Sequence, residues 1–144
     1  MKFDYGVMQG RLSKIINNKI QSFPEKNWRI EFAKVNKLGL TSIEWTLDYK
    51  NLINNPILTK KGQSEIKKLS KQYSIKINSL TGDCFMQKPF WKIKDNKKLI
   101  TNLKKIINGC KVLGIKYIVV PLVDNGSIQN YKDQESLIKS CDEI

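Results

Sequence analysis

The sequence predicts an α/β fold of TIM-barrel type with about four βα units and parallel strands, which is half of a closed barrel. One observation is that short apolar strands alternate with helices along the whole chain, which implies a parallel sheet. A second is an internal repeat, in which three similar segments each end a helix and start a strand: Leu38-Gly39-Leu40, Tyr73-Ser74-Ile75 and Leu113-Gly114-Ile115. A third is length, because 144 residues fall well short of the roughly 250 that a complete barrel needs.

The hydrophobic pattern predicts strands at Phe3–Gln9, Ser42–Leu47, Ile75–Thr81 and Lys116–Leu122. It predicts helices from about Asn27 to Gly39, over Lys61–Tyr73, from near Asp95 to Gly114, and over the tail Lys132–Ile144. Asn17-Asn18 indicates a turn, and the aromatic segment Cys84–Trp91 is predicted to be a loop. We therefore expect residues 1–144 to form a single domain, cut short at its carboxyl end.

A doubly wound dinucleotide-binding fold is the main alternative. Its first turn would carry two or three glycines in the pattern GxGxxG directly after the first strand. The corresponding segment here, Met8 to Ser13, contains only Gly10. The barrel interpretation is therefore favoured.

The composition narrows the function classes. The chain contains no histidine, which excludes a Ser-His-Asp or Cys-His catalytic set within it. Its net charge of +13 comes almost entirely from lysines spread over every predicted element. A phosphate-binding surface usually clusters its basic residues and uses arginine, so nucleic acid is not the expected partner.

Location is predicted from the apolar segments and the cysteines. No apolar run approaches the ~20 residues that a membrane span needs, so no membrane partner is expected. The three cysteines are widely spaced and odd in number, which fits a reducing compartment better than a disulfide framework. The expected location is the cytoplasm, with the cysteines acting as small apolar residues.

Polar residues follow each predicted strand, where the active site of a parallel barrel lies. Arg11 follows the first strand, and its planar guanidinium suits a phosphate or carboxylate, or simply closes a surface loop. Glu44 alternates with Ile43 and Trp45, which places it towards the barrel interior. A carboxylate there needs a partner, so Glu44 is either a structural hydrogen-bonding residue or a ligand-binding one.

Two aspartates and an aromatic segment leave similar alternatives open. Asp83 and Asp124 each follow a strand and either line the site or cap the next segment. The aromatic side chains of Phe85–Trp91 form either a wall over a sugar ring or part of the core.

Several segments together resemble the opening of the sugar phosphate isomerase/epimerase family, which has xylose isomerase-like TIM barrels. The most specific is Gly6 to Ser13, read as GVMQGRLS. The others are Ile20–Pro24, Trp28 with Glu31-Phe32, Gly39–Trp45, Asn55-Pro56, Gly82–Met86 and Val120–Asn125.

The resemblance implies proton transfer between adjacent carbons of a sugar or sugar phosphate, assisted by a divalent metal: manganese, or else magnesium, zinc or cobalt. The family's metal ligands lie in the second half of its barrel, so we assign no catalytic or metal residue here. By position in the motifs, Gln9, Arg11, Glu44 and Asp83 are the expected substrate-binding residues. We expect this chain alone to be inactive and to bind no metal itself.

Two further expectations concern partners. An incomplete barrel exposes both edges of its sheet, which predicts a homodimer or poor solubility. The alternative function is a non-catalytic module, or one like the DNA-repair endonucleases built on the same barrel type, that binds nucleic acid or other polyanions through its lysines.

Overall fold

A computed structural model describes residues 4–15 and 22–143. Over these residues the chain forms four strands, β1 Gly6–Met8, β2 Ser42–Thr46, β3 Ser79–Thr81 and β4 Tyr117–Val119. It forms five α-helices, α1 Trp28–Lys37, α2 Lys60–Tyr73, α3 Asp83–Gln87, α4 Lys97–Leu113 and α5 Tyr131–Asp142. Three short 3₁₀ turns lie at Leu52–Asn54, Pro56–Leu58 and Asp124–Gly126.

The four strands form one all-parallel sheet in the order β1-β2-β3-β4. Strand order therefore follows chain order and never reverses, and β1 lies at one edge of the sheet. A doubly wound sheet would instead have β1 inside, with helices on both faces. Right-handed crossovers that all step in one direction place their helices on the same face, so the arrangement is compatible with half of a closed α/β barrel.

The core lies between the sheet and the helices. β2 contributes Ile43 and Trp45, which are buried along with Leu47 directly after the strand. The Trp45 ring packs edge-on against Trp28 of α1, with their centroids 5.7 Å apart. Phe32 of α1 is also completely buried, so the aromatic residues of α1 belong to the core.

The face of the sheet opposite the helices is partly open to solvent at β4, as expected for an incomplete barrel. Tyr117 and Val119 are 66% and 43% exposed, on the same side of the sheet as Ser79 and Thr81, with which they pair. We call the side of the sheet that carries Glu44, Ser79, Thr81, Tyr117 and Val119 the open face.

The predicted elements are all present, but their bounds differ. Each strand is shorter than predicted, because only part of each predicted segment makes ladder pairs; β3, for example, keeps only the last three residues of Ile75–Thr81. The predicted loop Cys84–Trp91 begins within α3, a helix too short to give a periodic pattern. α4 is preceded by Asn96 rather than Asp95 as its N-cap. Phe3, Asn17-Asn18, Ile20-Gln21 and Ile144 lie outside the described residues.

Both predicted glycine stops are confirmed. α1 ends before Gly39, and α4 ends at Gly114, whose φ of 72° lies in the left-handed region. A side chain would strain that conformation, which explains why the helix ends there. None of the helices in the described part of the chain is both long and apolar enough to cross a membrane.

Truncation of a core aromatic residue tests this packing. We expect Phe32→Ala to lower the free energy of unfolding by about 3–5 kcal/mol, because the cavity cannot close. Ile30→Ala on the same helix removes a side chain that is 54% exposed and should cost less than about 0.5 kcal/mol. Urea denaturation followed by circular dichroism measures both, and equal losses would contradict the proposed core.

Candidate functional site

The carboxyl ends of the four strands lie at the same end of the sheet, because the strands are parallel. We call this end the rim. Its residues are Gln9 to Arg11 after β1, Thr46 to Asp48 at the end of β2, Gly82 and Asp83 after β3, and Pro121 to Asn125 after β4.

Gln9 is buried at the rim, with 1% of its surface exposed. Its backbone N–H donates to the Glu44 carbonyl at 2.9 Å. Its side-chain Oε1 accepts from the Thr46 N–H at 3.3 Å, and its carbonyl accepts from the Thr46 hydroxyl at 3.2 Å. The Nε2 group has no hydrogen-bond partner among the described residues. Exchanging the amide oxygen and nitrogen does not remove this orphan donor. It would point the Nε2 donor at the Thr46 N–H, which is itself a donor.

Glu44 has the partners that its position predicted. Its carboxylate accepts from the Ser79 hydroxyl at 2.7 Å and from the Thr81 hydroxyl of the same strand. These contacts tie β2 to β3 on the open face. Glu44 is only partly buried, and both of its oxygens already accept a hydroxyl proton. These two contacts give Glu44 a structural role between β2 and β3.

Arg11 lies exposed in the turn after β1. Glu31 of α1 holds this turn, because its carboxylate accepts from the Gly10 N–H through both oxygens, at 3.1 and 2.9 Å, and from the Ser13 hydroxyl at 2.8 Å. Gly10 has φ +93°, and a Cβ there would lie 2.3 Å from the Ser22 carbonyl oxygen. Glycine is therefore required at this position, and Arg11 projects from an anchored turn.

Asp83 is the first residue of α3 and is 7% exposed. The Cys84 N–H next to it donates to the Leu47 carbonyl at 2.8 Å, which joins the start of α3 to the end of β2. The aromatic residues that follow are buried, with Phe90 packed edge-on between Phe85 and Trp91 at 5.8 and 4.9 Å. This segment is therefore core, rather than a wall facing solvent.

Asp48 organises the rim between β2 and α3. One oxygen accepts from the Phe23 N–H at 2.8 Å and from the Ser22 hydroxyl at 3.1 Å. The other accepts from the Gln87 amide at 2.9 Å. Gln87 in turn accepts from the Tyr49 N–H at 2.7 Å. Two loops and a helix are thereby held around one carboxylate.

A groove of about 830 Å³ runs outward from Asp48 between the starts of α1 and α2. Its carboxylates are engaged, since Glu25 accepts from Asn51 at 2.8 Å and Glu65 binds Arg29 through two contacts of 2.5 and 2.8 Å. Three lysines also line it: Lys26, Lys50 and Lys61. Gln9, Arg11, Glu44 and Asp83 do not line this groove, so the predicted residues and the groove are separate features.

Three or more metal-ligating side chains do not come together anywhere in the part of the chain that the structure describes. No metal ligand is therefore assigned among the described residues. The cysteines offer no nucleophile in the core, because burial raises the pKa of the Cys84 thiol to about 12 and that of Cys110 to about 11.

No family model matches this chain, and no curated protein does either. The resemblance to sugar phosphate isomerases and epimerases therefore stays a prediction that rests on the motifs. What the structure adds is the position of each residue that those motifs named.

Gln9 and Glu44 come together at the β1–β2 ladder, and Glu44 joins β2 to β3. Asp83 lies two residues beyond Thr81 in the next connection, and Arg11 lies in the turn after Gln9. Glu31 was given no role of its own from the sequence, although helical spacing places it on the same side of α1 as Trp28 and Phe32. A carboxylate on a buried helix face needs a partner, and this signal could have identified it.

The structural role of Glu44 can be measured by substitution. We expect Glu44→Ala to lower the free energy of unfolding by about 1–3 kcal/mol, because the buried Thr81 hydroxyl loses its acceptor. Glu135→Ala on the exposed side of α5 is the matched control and should change it by less than about 0.5 kcal/mol. In a double-mutant cycle, Thr81→Val should cost less in the Glu44→Ala background than alone; strict additivity would contradict the contact.

Thiol reactivity tests the burial of the cysteines. In the folded protein at pH 8, iodoacetamide should alkylate the exposed Cys141 well before Cys84 and Cys110. Burial raises the pKa of both core thiols, so little thiolate is present there, and the reagent is also excluded. Mass spectrometry of the labelled peptides measures the order. Equal labelling of all three is expected only in denaturant.

Proposed function

We propose that this chain supplies the first four βα units of a TIM-type barrel in a sugar or sugar phosphate isomerase or epimerase. In this proposal its rim binds and orients the sugar. The fold supports it, because singly wound parallel units place their strand ends on one rim, where barrel enzymes bind substrates. The motif around Gln9 and Arg11 supports it independently.

The observation that carries the proposal is the orphan amide donor of Gln9. Burying a hydrogen-bond donor without a partner costs about 1–3 kcal/mol, and such a group in a folded protein calls for a water or a ligand. Gln9 lies at the rim, next to the ladder that holds Glu44. A sugar hydroxyl or carbonyl oxygen accepts from an amide N–H, so a bound sugar would satisfy this donor.

The other rim residues have complementary parts in the proposal. Arg11 supplies a planar cation for a phosphate or carboxylate, and the Glu31 contacts to Gly10 and Ser13 fix the turn that carries it. Asp83 places a second carboxylate at the start of α3. Glu44 keeps the hydroxyls of Ser79 and Thr81 oriented on the open face, which leaves their oxygens available as acceptors.

Proton transfer between adjacent sugar carbons needs a base, a group that polarises the carbonyl, and a site that excludes water. The described residues do not form a metal site, so no step is assigned to a metal here. These residues bind, orient and desolvate. Substitution of Gln9, Arg11 or Asp83 would therefore affect sugar affinity first, and turnover only where the remaining catalytic groups are present. Glu44 would act through the two hydroxyls that it orients.

Substitution of Arg11 tests the proposal directly. We expect a ketose phosphate such as ribulose 5-phosphate to bind saturably, and Arg11→Ala to weaken this binding at least about tenfold by removing the bidentate cation. Arg29→Ala is the matched control, because Arg29 is the only other arginine and lines the groove rather than the rim. Ligand-observed NMR with the unphosphorylated sugar as a second ligand measures both affinities.

Equal loss in the two variants, or no saturable binding, would contradict this proposal. A second candidate would then be favoured by the net charge of +13 and by Lys26, Lys50 and Lys61, which form no ion pair with a described carboxylate. This candidate is a module that binds polyanions. Its signature is DNA binding that falls steeply with salt and shows no sequence preference.

A further inference from the structure

The two edges of the sheet carry exposed apolar side chains. At the β4 edge these are Tyr117 and Val119 on the strand, Leu122 and Val123 after it, and Ile138 on α5. At the β1 edge they are Tyr5 directly before the strand and Leu38 at the end of α1, and Ile15 in the loop after β1 is exposed as well. Soluble monomers seldom concentrate exposed apolar residues in this way, and such patches mark surfaces that associate.

Both edges also present unpaired backbone. No described strand lies beyond β1 or β4. The Gly82 N–H bonds the Val119 carbonyl, so the alternate residue Ile118 directs its N–H and C=O away from β3, towards the open edge. The same alternation at β1 turns the N–H of Met8 outward, because the Gln9 N–H faces β2. The β1 and β4 strands run in the same direction. The β4 edge of one copy can therefore form a parallel ladder with the β1 edge of another copy.

The helices at the two edges carry opposite charge. α1 holds Arg29, Lys34 and Lys37 against the single carboxylate of Glu31. Arg29 is paired with Glu65 and Glu31 bonds the Gly10 turn, so Lys34 and Lys37 remain as its positive charges. α5 holds Asp133, Glu135 and Asp142 against two lysines, and Glu143 follows it directly. Asp133 is already paired with Lys92, so Glu135, Asp142 and Glu143 supply the remaining negative charge at this end of the sheet. α5 is the only helix of eight or more residues in the described chain with a negative balance. An acidic helix at one edge thus complements a basic helix at the other.

We propose that the β4 edge of one copy of this chain pairs with the β1 edge of a second copy, and that the second copy returns the same contact. A two-fold axis parallel to the strands relates the copies and keeps all strands parallel. Two sets of four strands then close a ring of eight, the number found in α/β barrels, with α5 of each copy beside α1 of the other. A head-to-tail contact that closes after two copies leaves no free edge.

This pairing brings the rims of the two copies together. The axis runs along the strands, so both copies place their carboxyl strand ends at the same end of the ring. Gln9, Arg11, Glu44 and Asp83 of each copy then surround one common opening. The exposed residues Tyr117 and Val119 become enclosed inside the ring instead of facing water.

The experiment uses sedimentation equilibrium on the full chain and two edge variants. Ile138→Lys adds a positive charge at the β4 edge, and Leu38→Glu adds a negative charge at the β1 edge. The unaltered chain should be a dimer. Each variant alone should have a dimer dissociation constant at least about tenfold higher. Val112→Lys on α4 is the control, because Val112 is also about half exposed, at 48%, but lies away from both edges.

Mixing the variants distinguishes head-to-tail closure from other pairings. The β1 edge of the Ile138→Lys chain and the β4 edge of the Leu38→Glu chain are both unaltered, so the mixture can form one intact interface. Its other interface brings the new lysine and glutamate together, and dimers should reappear. A monomeric parent chain, an open-ended series of larger species, or one edge variant that behaves like the control would each overturn the proposal. Sugar binding is not a readout here, so this test is independent of the proposed function.

Discussion

The alternation of apolar and polar residues along β2 is the constraint on which the rest of the structure depends. Ile43 and Trp45 face the helices and are buried in the core. Because side chains on a strand alternate, Glu44 and Thr46 must face the other way. A slip of one residue in register would bury the carboxylate in the core and expose Trp45. Burial of a single tryptophan therefore positions the polar residues on the open face and at the rim.

Two carboxylates then fix the loops around this strand. Buried Glu31 and partly buried Asp48 each accept three hydrogen bonds, and each accepts from a backbone N–H group, that of Gly10 or of Phe23. Such bonds to a charged acceptor are stronger than neutral ones. The loops that they hold carry the residues of the rim, including Arg11. The geometry of the candidate site is thus set by side chains that would not themselves contact a ligand.

The sequence predicted those features that depend on local periodicity. The strand–helix order, the buried face of α1 and the stop at Gly114 follow from spacing and from glycine chemistry. α3 was missed because five residues hold little more than one helical turn, and its apolar side chains are shared with an aromatic cluster. The partners of Gln9 and Glu31 were not predictable either, since they depend on which residues are brought together from 18 or more positions away. Long-range pairing of polar groups leaves no period in the sequence.

The charge of the chain bears on how its exposed edges are used. Two copies that each carry a net +13 repel one another, and that repulsion acts against any association driven by apolar contact alone. The repulsion is not uniform, because the acidic balance of α5 offsets it at one edge only. A contact that brings α5 beside α1 is therefore favoured over one that brings two α1 helices or two lysine-rich α4 helices together. Added salt screens the overall repulsion between exposed charges while leaving the apolar contacts in place. For a head-to-tail pair held mainly by edge strands and apolar side chains, moderate salt should accordingly strengthen association, whereas a contact held mainly by the α1–α5 charges would weaken.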